Sequence, residues 1–190
     1  MSSLADREKK LLLQVARQAL ALAAHTGGVL ANFPDNEALS QSGGAFVTFR
    51  KRTKLRGCIG QMPSDIPLVH VVAHCSKAAA LEDPRFHPVQ ADEVAEIDIE
   101  LSVLSALEDI AADQIEIETG RHGLMISRGW QRGVLLPQVA VEFQWTAERF
   151  LEETCVKAGF ERAAWKDPET RIQVFTAEVF SESSLGIGKQ

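Results

Sequence analysis

The run Leu55-Arg56-Gly57-Cys58-Ile59-Gly60 gathers, in the shortest space, the residue types that chemistry needs. In an extended segment side chains alternate between faces, which sends Arg56 and Cys58 one way and Leu55 and Ile59 the other. A guanidinium fixed beside a thiol favours the thiolate, the form that acts as a nucleophile. Gly57 and Gly60 leave room for a ligand or another stretch of backbone to come close. A working thiol also needs a group to take its proton. His122, flanked by Gly120-Arg121 and Gly123, is one candidate, because imidazole titrates near neutrality. Glu100 is another; it shares a strand face with Ser102, opposite Ile97, Ile99, Leu101 and Val103. Arg85, within the turn-forming Asp83–Pro88 segment, can contact an anion or cap a carbonyl. The competing readings are structural: a cysteine acting as a small buried hydrophobe, an exposed turn histidine and a solvated outer strand face.

His70, His74 and Cys75 spell HxxxHC, and positions 70 and 74 share a helix face as zinc ligands can. The glutamate of HExxH is missing and no second Cys/His pair follows, so no metal site is expected. The basic stretch Arg50, Lys51, Arg52, Lys54 and Arg56 is either a solvated hairpin turn or an anion-attracting rim. The phosphate-binding, nucleotide-binding and serine-nucleophile signatures are all absent.

The elements that must position these residues follow from periodicity. Helical spacing of apolar residues predicts a helix over 4–24, with Ser3 and Asp6 as a cap, and another over 66–82, capped by Asp65. Residues 26–43 read as loop. Residues 45–49 and 55–61 read as a hairpin joined through the basic turn. Strict alternation over 97–103 makes a strand; Ile115 and Ile117 suggest another. Residues 124–126 and 134–136 form a second hairpin, 146–158 a helix closed by Gly159, and 172–180 a last strand before a frayed tail. The absence of a βαβ rhythm favours α+β over a doubly wound sheet.

The chain has 190 residues, enough for one domain or a domain with a small appended subdomain. A net charge of −6 argues against broad nucleic-acid binding. Three cysteines, odd in number and widely spaced, imply no disulfide framework. No stretch reaches the length of a membrane span and the N-terminus lacks a secretory pattern, so a cytoplasmic location is expected.

Together the segments GAFVTF (44–49), LRGCIG (55–60), LEDPRFHPV (81–89), IDIELSVLS (97–105), GRHGLMI (120–126), VLLPQVA (134–140) and KAGF with its following Trp (157–165) resemble the AMMECR-type domain family, whose microbial members are called AmmeMemoRadiSam system protein A. The likeness covers about residues 5–182. It implies a single AMMECR-type domain over 1–190, open to a discontinuous split into two subdomains. The implied fold is α+β, a mainly antiparallel sheet flanked by helices with a smaller appended α+β subdomain. It also implies Memo-like and radical SAM proteins as partners and LRGCIG as the functional motif, while naming neither a reaction nor a cofactor. His122 matches the family's His-Gly turn. The hairpin Ser127–Arg132 departs from the family pattern, which has an acidic or aromatic residue there.

Two functions follow. One is an enzyme or enzyme component acting on a small molecule or protein group, with Cys58, Arg56, His122 and Glu100 catalytic and Gly57, Gly60, Arg85 and Ser102 binding the ligand. The other is a non-catalytic scaffold for the Memo-like and radical SAM partners. Nucleic-acid binding through the basic turn is a weaker third.

Overall fold

A computed structural model describes residues 3–110 and 116–187, which divide into two compact units. The first comprises the chain up to Leu104 together with the segment from Glu178 onward; the second is Ser105–Ala177.

In the first unit, strands β1 (Gly44–Lys51), β2 (Lys54–Gln61) and β3 (Ile97–Leu104) pair antiparallel in the order β2-β1-β3. Helices α1 (Asp6–Thr26) and α3 (Leu68–Leu81) cover one sheet face. There Leu12, Leu13, Leu20, Val72 and Ala79 meet Val47, Phe49, Ile99 and Leu101 in one core, which explains the helical and strand periodicities at once. Residues 46, 48, 58, 60, 100 and 102 are left for the opposite face.

Several expectations are corrected. Ser3 does not cap α1: its hydroxyl donates to Glu178, and Glu8 accepts from the Ala5 N–H. Asp65 does not cap α3, which starts after Pro67 and leaves Ile66 exposed. The loop over 26–43 contains a single helical turn, α2 (Glu37–Ser40), because Asn36 accepts from the Leu39 N–H. The tail is not frayed through 187. Glu182 is buried and bonded to Arg17 and the Ile99 N–H, while Leu185 and Ile187 pack on the core.

In the second unit, β4 (Glu108–Ile110), β5 (His122–Arg128) and β6 (Gln131–Leu135) join the first part of β7 (Arg171–Ser181) in the order β4-β7-β5-β6. Helices α4 (Pro137–Glu142) and α5 (Ala147–Lys157) close its own core around Phe150, Leu151, Ile126 and Ile172. Ile117 is partly buried but not in a strand, and Ile115 lies outside the described residues. β7 begins in this unit and ends in the first. No helix among the described residues is long and apolar enough to cross a membrane.

Candidate functional site

The β1–β2 hairpin decides what LRGCIG presents. The turn holds Arg52 and Thr53 at φ 50° and 68°, and Lys51 pairs with Lys54 and Arg50 with Leu55. The register then slips: Phe49 pairs with Gly57, leaving Arg56 as the extra residue of a bulge. Simple alternation therefore fails at Arg56, and Leu55 is exposed rather than in the core.

Beyond the bulge, Thr48 lies opposite both Cys58 and Glu100, so a thiol, a hydroxyl and a carboxylate stand on neighbouring strands of one face. Cys58 Sγ and Thr48 Oγ1 share a hydrogen bond of 3.3 Å. Cys58 is half-buried and Thr48 buried. The competing reading of a solvated outer face does not describe it: Ser102 is buried, and Glu100 is three-quarters buried with Arg50 3.5 Å away.

Cys58 sits on an edge strand, where its peptide N–H and C=O point away from β1. The segment after α3 satisfies both. Asp83 Oδ2 accepts from the Cys58 N–H at 2.8 Å, and Arg85 Nη2 donates to the Cys58 carbonyl at 3.1 Å. Arg85 in turn donates through Nε and Nη2 to both Asp83 oxygens, at 2.9 and 2.7 Å. These bonds hold the buried Asp83 carboxyl at about 2, the Arg85 guanidinium contributing most and the backbone N–H groups of Cys58 and Arg85 adding to it. Of the two roles open to Arg85, it takes the carbonyl-capping one.

The glycines serve packing. A Cβ on Gly57 would stand 2.5 Å from the Ala79 carbonyl oxygen of α3, and one on Gly60 would enter the Phe46 ring. Of the two approaches open to these glycines, a ligand or another part of the chain, the second is seen at both.

Arg56 does not stand free beside the thiol. Its Nε and Nη2 donate to the two Glu93 oxygens at 3.2 and 2.8 Å, and Lys51 joins at 3.1 Å. Those cations, Arg56 foremost, lower the Glu93 carboxyl to about 2. Arg50, Lys51, Arg52 and Arg56 all pair with Glu93, Glu96 or Glu100, so the basic turn spends most of its charge internally. Arg56 nevertheless keeps one buried nitrogen, Nη1, without a partner among the described residues. It forms one wall of a groove of about 530 Å3 with Arg85, Phe86, His87 and Gln90. The Phe86 ring is within reach of both guanidiniums, its centroid 6.0 Å from that of Arg56 and 5.5 Å from that of Arg85.

His122 belongs to the second unit. It is the first residue of β5 rather than an open turn residue, and its Nδ1 accepts from the Glu118 N–H at 3.2 Å, which places the proton of a neutral ring on Nε2. Trp130, at the tip of the β5–β6 hairpin, is 90% exposed. Cys75 and Cys155 are buried, and burial pushes both thiols up, Cys75 to about 12. His70 and His74 lie on the exposed side of α3 while Cys75 faces the core, so the HxxxHC set diverges. Among the described residues no group of three or more His, Cys, Asp or Glu side chains could hold a metal.

Thr48, Asp83, Phe86 and Glu93 are site residues that sequence reasoning misses. The DPRF segment is the one signal for Asp83 and Phe86. Thr48 is hidden by the bulge, since counting back from the turn pairs it with Gly57.

A family model described as AMMECR1 matches residues 13–180. A protein of Methanothermobacter thermautotrophicus is 40% identical over 183 residues, 92% of this chain and 94% of that one. A protein of Thermococcus gammatolerans is 38% identical over 192 residues, 96% and 94% of the two chains. The crystal structure of uncharacterised protein PH0010 from Pyrococcus horikoshii is similar with a TM-score of 0.84 and 37% identity, covering 92% of this chain and 91% of that one.

Proposed function

The chain belongs to the AMMECR1 family, and we propose that it is an enzyme or enzyme component that modifies a small molecule or protein group at Cys58. One observation carries this reading: three separate contacts fix Cys58, at its N–H, its carbonyl and its sulfur. An edge strand needs no buried carboxylate to fold, whereas a reacting atom needs its position set in advance by supporting groups. In this reading Thr48 holds the sulfur, and Glu100, next to Thr48 on β3, handles the proton. Asp83 and Arg85 are positioning residues. The groove lined by Arg56 and Arg85 receives the anionic part of the substrate. Gly57, Gly60 and Ser102 shape the sheet face rather than touch substrate.

The test is the rate at which iodoacetamide alkylates Cys58 across pH, followed by peptide mapping in the presence of the buried Cys75 and Cys155. A reactive centre alkylates faster than glutathione near neutrality and slows in Thr48→Val. A rate no greater than that of glutathione, unchanged in Thr48→Val, removes the catalytic reading.

One observation favours the second function, a scaffold working with Memo-like and radical SAM proteins in the same cytoplasmic setting: the Arg56 charge is committed to Glu93 and not to the thiol. Under that reading, co-purification with such partners survives Cys58→Ala.

A further inference from the structure

We propose a second binding site, on the outer side of α3, for a small carboxylate with an apolar body. The inward face of α3 is spent on the core. Its outer face carries His70, His74 and Lys77, at spacings that line them up along the helix. The segment after α1 crosses this face and stands Phe33 against His70, with ring centroids 4.2 Å apart. Between them lies a cavity of about 370 Å3. Its walls include Phe33, Ile66, Val71 and Val29, and two of these are left unusually bare: Ile66 is 45% and Val29 67% exposed. An apolar hollow with a few convergent polar groups is the general form of a small-molecule site.

Charge chooses the ligand. The basic residues of the β1–β2 turn are mostly tied up in ion pairs, but Lys77 makes none among the described residues. It projects into the cavity wall beside His74, and Glu82 is the one acidic residue among the lining groups. A cation left unpaired at an apolar hollow, in a chain of net charge −6, matches a monoanion whose tail covers Phe33 and Ile66 while its carboxylate meets Lys77 and His74. A purely apolar ligand would strand the Lys77 charge, and a polyanion would waste the walls and oppose Glu82. The site is independent of Cys58 and shares no residue with the Arg56 groove.

Octanoate is the probe, titrated into the full chain by calorimetry and by amide chemical shifts. The expected result is saturable binding of one molecule per chain, with spectral changes confined to the residues that line the cavity, Ile66 and Glu82 included. Lys77→Glu, an exposed change that leaves the core alone, weakens binding by at least about tenfold. Ile66→Asp does the same, Arg85→Ser in the other groove has no effect, and octanol binds more weakly than octanoate. Non-saturable binding, spectral changes elsewhere, or equal affinity of wild type and Lys77→Glu overturns the proposal. Equal affinity for octanol and octanoate overturns it too, because the hollow would then be merely apolar.

Discussion

Asp83 and Glu93 work alike: each is a carboxylate that holds an arginine in place, and each has been driven to about 2 by doing so. Their unfolded values are near 4, so each contributes stability that is fully present above that range. The contribution is lost as pH falls from about 4.5 towards 2. For the almost fully buried Asp83 this is about 2 kcal/mol, from roughly 1.4 kcal/mol for each tenfold change in its protonation equilibrium; Glu93, partly exposed, contributes less. Urea unfolding at pH 6 and at pH 2.5 should show the wild type losing this stability and Asp83→Asn losing less of it, from a lower starting value. Parallel acid limbs in the two proteins would mean that Asp83 does not carry the linkage. Cys58 and Arg56 stood out in the sequence as candidates. Their partners did not, because Asp83 and Glu93 reach them from 25 and 37 residues away and no local pattern records a contact of that kind.

Most long elements were readable because they bury a stripe or a face: α1, α3 and α5, and strands β1 and β3, follow their apolar period. The elements missed are the short ones. α2, α4 and β4 have four, six and three residues, too few for a period to show, and depend on an Asn cap, an initial proline and a neighbouring strand. The bulge at Arg56 was also invisible, although it alone decides that Cys58 faces Thr48. The hairpin turn beside it carries a conformational load. Arg52 and Thr53 both have positive φ, which a β-branched residue such as Thr53 rarely adopts. Replacing the pair with Asn-Gly should raise stability by about 1 kcal/mol, measured by thermal or urea unfolding, without altering Cys58 alkylation. If alkylation changes as well, the strained turn sets the register on which Cys58 depends.

At the scale of the molecule, the first unit is closed by residues from the far end of the sequence. Arg17 is largely buried and donates to Glu182 and to the carbonyls of Val94 and Ile97, while Glu182 also accepts from the Ile99 N–H. Removing one partner of such a pair leaves a buried charge. Glu182→Ala should therefore cost about 3–5 kcal/mol in urea unfolding, and Glu182→Gln less. A loss below about 1 kcal/mol would show that water reaches Arg17 easily and that the pair is ornamental.

That closure also fixes a timetable. The ribosome delivers residues 105–177, the whole of the second unit, before it delivers Glu182. Domains tend to fold as they emerge. The second unit can thus finish first, while the earlier-made sheet waits with Arg17 lacking its counter-charge. The strand bearing Cys58 belongs to this waiting sheet, so the candidate site is among the last parts of the chain to become rigid. A stalled or clipped message that loses only the final residues would release a folded second unit attached to an unsealed site.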